Sequence, residues 1–151
     1  FGVDEECAQQ AAWLHDISAV IPNSERLAQA LRFGLQVLPE EAAFPMILHQ
    51  KLSAVLAQRE FGMQDKAVLS AIGCHTTLKA DFAPLDLVLF VADKLAWDQP
   101  DEAPFAPAMR AGLQLGLEQG ALVYLEFLWQ QRAELKCVHP WMLAARERLR
   151  T

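Results

Sequence analysis

An adjacent pair, His15-Asp16, ends the apolar helical run Ala11-Ala12-Trp13-Leu14-His15-Asp16-Ile17, and any fold of this chain has to answer it. A carboxylate removed from water without a partner costs several kcal/mol, so Asp16 needs a cation or hydrogen-bond donors beside it. A metal ion would answer both residues at once, since imidazole and carboxylate are common metal ligands. The plainer alternative is a single capping or core histidine next to an ion-paired aspartate. His49, His75 and Asp93 are the further ligands that the metal reading requires.

Around this pair nearly every segment carries helical periodicity, and none carries a convincing alternation of period two. Asp4-Glu5-Glu6 open a first helix whose apolar stripe is Trp13, Leu14 and Ile17. Ile21-Pro22-Asn23 end it and begin a second, with Asn23 as N-cap, running to about Phe33-Gly34. Pro39 and Pro45 punctuate the approach to a longer helix, Phe44 to Glu60, which Phe61-Gly62 closes. Asp65 caps a helix over Lys66 to His75, and Pro84 fits the first turn of one over Leu85 to Trp97. The Pro-rich acidic stretch 98–107 reads as a structured active-site loop. Two helices run from Ala108 to Leu135, divided near Gln119-Gly120, and Pro140 starts a last one. With no internal repeat and no shift of composition, the expected fold is one all-α domain over residues 1–151. It is a helical bundle whose C-terminal helices occupy 108–151.

Of the 151 residues 53% are hydrophobic, enough for a sizeable core and against a disordered chain. Leu85 to Trp97 and Ala121 to Trp129 are broken by charges and too short to span a membrane. There is no signal peptide and no polybasic anchor. Cys7, Cys74 and Cys137 form neither a zinc motif nor a disulfide framework, which suits reduced thiols and a cytoplasmic location. The formal net charge of −6 argues against nucleic acid, whose phosphates call for a basic face. A small anionic ligand is still compatible, because metal ions and lysines can reverse the local potential.

His49 follows Met46-Ile47-Leu48, His75 follows an apolar run that ends at Cys74, and Asp93 follows Leu87-Val88-Leu89-Phe90-Val91-Ala92. An aspartate after that last run is hard to explain by packing, since aspartate is rarely buried without a partner. Singly, each could be a satisfied core residue. Jointly, four helices each presenting a ligand-type residue point to a metal site in a bundle core. Thr76 and Thr77, beside His75, could donate to a phosphate or simply end a helix. Trp97 and Phe105 flank the acidic loop and could stack on a nucleobase or pack as ordinary core aromatics. Tyr124 and Trp129 read as core, and His139, in a surface turn before Pro140, as an N-terminal residue of the last helix, apart from the site.

This pattern resembles the HD-domain metal-dependent phosphohydrolases, and within them the bacterial YqeK-type symmetrical dinucleoside tetraphosphatases. The resemblance runs from Phe1 to about Lys94. It rests on Leu14-His15-Asp16-Ile17, on Ile47-Leu48-His49, on Asp65 followed by Ala71-Ile72-Gly73-Cys74-His75-Thr76-Thr77, and on Leu89-Phe90-Val91-Ala92-Asp93-Lys94. It implies that His15 ligates one metal, Asp16 bridges two, His49 and His75 ligate the second, and Asp93 returns to the first. It also implies a divalent centre, typically di-iron with manganese or magnesium as alternatives, holding a water or hydroxide between the ions as nucleophile.

The chain departs from that family in three places. The family's first histidine lies on a helix upstream of Phe1, so one metal would lack a ligand; a homodimer or a ligand from another chain would compensate. The lysine that usually follows the doublet is replaced by Ser18-Ala19-Val20, and the glycine after the paired threonines by Leu78-Lys79. An acidic-Pro-Arg segment is replaced by Leu95-Ala96-Trp97-Asp98-Gln99-Pro100. Lys51, Lys79 and Lys94 are then the candidates to bind phosphate, each otherwise a solvated lysine. The expected function is hydrolysis of a nucleotide or dinucleoside polyphosphate, with Asp16, Lys51, Thr76 and Lys79 acting on the substrate. The alternative is a non-catalytic module that binds a nucleotide or a partner.

Overall fold

The computed structural model describes residues 1–97 and 99–151; Asp98, the first residue of the expected acidic loop, lies outside them. Among the described residues there are nine α-helices and no strand. They are α1 Glu5–Leu14, α2 Asn23–Arg32, α3 Pro39–Ala43, α4 His49–Glu60, α5 Lys66–Cys74, α6 Pro84–Leu95, α7 Ala106–Leu113, α8 Leu117–Gln130 and α9 Pro140–Leu149. Short 3-10 turns, Ile17–Val20 and Pro45–Leu48, follow the doublet and lead into α4.

The helix starts have local causes. The Asp4 carboxylate accepts from the Cys7 amide at 2.9 Å, and that of Asp65 from the amides of Ala67 and Val68 at 2.7 and 3.0 Å. Pro84 occupies the first turn of α6, where the Asp86 carboxylate reaches back to the Ala83 amide at 2.9 Å. Gly34 ends α2 with a φ of 73°, a conformation that costs other residues a clash. Asn23 is the first helical residue and makes no side-chain cap; Pro22 stands in the N-cap position.

α6 is the pivot of the packing. Leu85 and Leu89 join Ala11, Ala57, Val68, Ala71 and Ile72 in a core with α1, α4 and α5. Leu87, Phe90 and Val91 join Met109, Leu125 and Met142 in a second core with α7, α8 and α9. A smaller cluster, Ala30, Leu48 and Leu52, fastens α2 to α4. A helix apolar on more than one face belongs between two layers, and Asp93, in its last turn, stands half-buried at the edge of that packing.

Several expectations are corrected. Trp13 is not on the buried stripe of α1; it is 75% exposed, and Ala11 holds the inward position with Cys7, Ala8 and Leu14 beside it. Residues 11 and 13 lie about 200° apart around a helix, so both cannot face one core. The α7–α8 break falls at 114–116, not near Gly120. Gly120 lies inside α8, where the Leu113 side chain packs so closely that an added Cβ would come within 2.5 Å of it. His139 is buried and not in a surface turn: its ring accepts from the Trp141 amide at 3.1 Å and so caps α9. Trp129 is only partly buried, with the guanidinium groups of Arg132 and Arg146 at 4.4 and 4.6 Å from its ring. No helix among the described residues is long and apolar enough to cross a membrane.

Candidate metal centre

Three helix ends deliver the histidines. His15 follows the last residue of α1, His49 opens α4, and His75 follows the last residue of α5. Each ring holds the carbonyl three residues earlier through Nδ1: His15 to Ala12 at 2.7 Å, His49 to Met46 at 2.8 Å, His75 to Ile72 at 2.8 Å. A carbonyl oxygen can only accept, so Nδ1 carries the proton and Nε2 of the neutral ring is a bare acceptor.

Those three bare nitrogens converge on two carboxylates. Asp16 Oδ1 lies 3.6 Å from His49 Nε2 and 3.5 Å from His75 Nε2, while its Oδ2 lies 3.7 Å from His15 Nε2. Asp93 Oδ1 is 3.3 Å from the same His15 nitrogen. His49 and His75 bring their Nε2 atoms within 3.2 Å of each other. With both Nδ1 protons already donated, two neutral rings would aim lone pairs at one another across that gap. A cation between them relieves this.

The donor set fits a metal. Ligand bonds of about 2.0–2.2 Å put two donors on one ion roughly 3.0–3.5 Å apart, close to the separations observed. Fixing each ring through Nδ1 is the way metal-ligating histidines are held. Burial and the nearby His75 ring pull the His49 pKa down to about 4, so that ring is neutral and ready to coordinate at pH 7. The His75 ring beside it, with His49 and His15, holds Asp16 below the usual carboxylate range against the upward push of burial. For Asp93 burial acts upward, but His15 and Lys94 outweigh it and hold the carboxylate ionised. The Asp93 carboxylate beside it raises His15 against the downward push of burial.

Around the donors lies a buried polar scaffold. Lys94 donates to Asp93 Oδ2 at 2.6 Å and to the His75 carbonyl at 2.7 Å, under the ring of Phe90 at 4.7 Å. It is buried and holds Asp93 in place; it does not stand in solvent. The Thr76 hydroxyl is 2.8 Å from His49 Nε2, within the cluster. Sequence reasoning missed Gln50, Ser18 and Ser53. The Gln50 amide oxygen accepts from the backbones of Thr76 and Thr77 at 3.2 and 3.3 Å, closing the turn after His75. Ser18 donates to the His49 carbonyl at 2.9 Å and accepts from Ser53 at 2.9 Å. The signal was present: Gln50, Ser53 and Ala57 share one buried face of α4, where polar residues need partners.

Lys51 and Lys79 are not brought to the centre. Two residues beyond His49, Lys51 points about 200° away around α4. Its ammonium bonds to Glu41 at 2.7 Å and to the Gln36 carbonyl at 2.9 Å. Lys79 donates to Ser70 at 2.8 Å and pairs with Asp86 at 3.5 Å. Leu78 before it adopts a φ of 55°, the left-handed region, and is fully buried, so packing holds a turn that glycine would take freely. Both lysines border a separate cavity of about 360 Å³ that shares no lining residue with the one at the centre.

The centre opens outward through Asp16, whose side chain is 56% exposed, whereas His75 is buried. Beside it lies a cavity of about 450 Å³ bounded by Ala12, His15, Asp16, Leu89, Ala92, Asp93, Ala96 and Trp97. That volume is in the range of small-molecule sites.

Comparison with known proteins adds a lineage to this geometry. A family model described as HD domain matches residues 1–98. The chain is 46% identical over 139 residues to an uncharacterized protein in pepC 5'region of Lactococcus lactis subsp. cremoris, covering 92% of this chain and 70% of that one. It is 33% identical over 95 residues to a symmetrical bis(5'-nucleosyl)-tetraphosphatase of Bacillus subtilis, covering 62% of this chain and 50% of that one. The chain thus spans about half the length of that curated relative. A crystal structure described as a predicted HD superfamily hydrolase involved in NAD metabolism, from Clostridium acetobutylicum, superposes with a TM-score of 0.87. It covers 97% of this chain and 77% of its own at 22% identity, a likeness of fold.

Proposed function

The chain belongs to the HD domain family, and on that premise we propose that it is a metal-dependent phosphohydrolase acting on a nucleotide or a dinucleoside polyphosphate. The observation that carries this reading is the convergence of three Nε2 atoms and two carboxylates with every Nδ1 already committed. Asp16 divides its oxygens between the His49–His75 side and the His15 side, which suits a carboxylate bridging two ions. His49 and His75 would hold one ion and His15 and Asp93 the other. Two divalent ions there would supply Lewis acidity, acidifying a water toward a pKa of about 7 and neutralising phosphate oxygens. The mixed imidazole–carboxylate set suits iron or manganese better than magnesium.

The remaining residues position. Lys94 keeps Asp93 ionised and aimed, and Gln50 fixes the backbone that carries His75 into Thr77. The Thr76 hydroxyl, 2.8 Å from His49 Nε2, would be free to donate to a phosphate oxygen once an ion takes that nitrogen. The tetraphosphatase of Bacillus subtilis makes a dinucleoside tetraphosphate the first substrate to assay.

Elemental analysis of gently purified protein should return about two iron or manganese ions per chain, alongside turnover in a nucleotide panel. Asp16→Ala should lose both metal and turnover; an Asp16→Ala protein of undiminished activity refutes the assignment. One observation favours a second reading, a binding module without turnover. Lys51, Lys79 and Lys94 are each paired with a carboxylate, so none of them is free to meet a phosphate. Tight nucleotide binding with no product, in metal-loaded protein, would decide for that module.

A further inference from the structure

The cavity beside the centre has two unlike ends. His15, Asp16 and Asp93 make one end polar, while Ala12, Leu89, Ala92 and Ala96 wall the rest with small apolar groups. Trp97 is the one aromatic residue among those that line it. It follows Asp93 by four residues, just past the end of α6, and so stands about one turn beyond a carboxylate of the centre. Packing alone does not account for its placement. Phe105 is buried and meets Tyr124 and Phe127 at 4.8 and 5.3 Å, whereas Trp97 meets the Phe105 ring edge-on, at 5.8 Å and 89°. The indole remains 46% exposed, held at one side by a buried aromatic cluster, and borders both this cavity and a neighbouring one lined by Leu95, Gln99, Glu102 and Arg110, which has none of the centre's donors. The exposed aromatics Phe1, Trp13 and Phe61 border none of the described cavities.

We propose that Trp97 is the specificity-determining platform of this site, stacking on the aromatic base of a nucleoside phosphate whose phosphate end lies at His15, Asp16 and Asp93. The inference rests on the phosphate-ester reading of the centre and deepens it. It selects esters that carry a planar base over inorganic polyphosphates that offer only phosphate oxygens. Stacking of a base on an aromatic side chain tolerates any base, because each has a π-face, so the platform selects nucleosides as a class.

Calorimetry on the manganese-loaded protein tests this with two non-hydrolysable probes, α,β-methylene-ADP and methylenediphosphonate, which share a phosphorus–carbon–phosphorus unit and differ in the nucleoside. Wild type should bind the nucleoside probe about tenfold more tightly or better, and Trp97→Ala should erase that preference while leaving methylenediphosphonate within about twofold. Trp97→Phe should keep most of the preference, and its retained fold, checked by circular dichroism, guards against a collapsed variant. Three results overturn the proposal: no preference or no nucleoside binding in wild type, an unchanged preference in Trp97→Ala, or equal weakening of both probes. Turnover of phosphate esters in a protein without the preference would sink the platform alone. A Trp97-dependent preference in a protein that hydrolyses nothing would sink the hydrolase reading alone.

Discussion

The cluster around Asp16 and the cluster around Glu41 are built from the same side chains, histidine and carboxylate, and they are finished in opposite ways. At Asp16 each histidine spends its Nδ1 proton on a carbonyl and turns a bare Nε2 toward its neighbours. At Glu41 the His139 Nδ1 accepts from the Trp141 amide, so the proton sits on Nε2 and is donated to Glu41 Oε1 at 3.1 Å. The other Glu41 oxygen accepts from Lys51 at 2.7 Å and from the Leu38 amide at 2.8 Å. Glu41 is fully buried, and both of its carboxylate oxygens have donors. Choice of tautomer, set by one backbone contact, separates a cluster that leaves ring nitrogens facing carboxylates from one whose donors and acceptors are matched. The matched cluster braces α3 against α4 and α9, and the unmatched one is the candidate metal centre.

Breaking each cluster should therefore give different losses. The largest effect belongs to Asp16→Ala, with turnover down about 10³-fold or more and metal content lost. The metal-free variant should melt close to the metal-free parent, because the removed carboxylate is largely in solvent. Next comes Glu41→Gln, which takes the carboxylate from the partly buried Lys51 ammonium and neutralises a fully buried ion-paired group. Chemical denaturation should show a loss of about 3 kcal/mol, while the folded fraction still binds its full complement of metal. Loss of metal in Glu41→Gln at constant stability would erase the distinction between the two clusters.

Acidification sharpens the same contrast. Burial acts to raise the Glu41 carboxyl, but His139, the Leu38 amide and Lys51 outweigh it and hold the group below its usual range. A carboxyl whose folded pKa lies below its unfolded value, about 4.3, stabilises at pH above that value. The contribution is lost as the pH falls through the folded pKa. Denaturant midpoints of wild type and Glu41→Gln should thus differ fully at pH 6 to 7 and converge below about pH 4. A difference that widens on acidification would mean that Glu41 is protonated in the folded protein.

How much of this was legible in the sequence depends on range. Asp65, Pro84 and Gly34 act on their own next few residues, and the helices they start or stop lie where their chemistry puts them. His15, His49, His75 and Asp93 each end an apolar run, so their inward placement also follows from local pattern. Their convergence does not, because it requires α1, α4, α5 and α6 to be packed first. Lys51 was misplaced although the relevant rule is local, since a residue two beyond His49 faces away from it. Trp13 fell to the same phase argument. The Glu41–His139 contact joins residues 98 apart in the chain, and nothing in either neighbourhood announces it. Gly120 reads as a helix break from sequence; only the approach of Leu113 shows why a glycine belongs inside α8.

The smallest expected effect lies at the link between the doublet and α4. Ser18 is buried two residues beyond Asp16, and its hydroxyl reaches the His49 carbonyl, while Ser53 closes the network by donating to Ser18 and accepting from its amide at 3.2 Å. Ser18→Ala removes both bonds of that hydroxyl without uncovering a charge, so denaturation should register a loss of about 1–2 kcal/mol. Because the serine touches the backbone of His49 and not its ring, the loss of metal affinity should stay below about tenfold, the lower edge for groups that orient a ligand directly. Metal titration of Ser18→Ala beside its denaturation curve separates two roles for the network. A measurable drop in affinity makes the serines part of the device that aims His49 at Asp16; an unchanged affinity with the same loss of stability assigns them to packing, on the side of the Glu41 cluster.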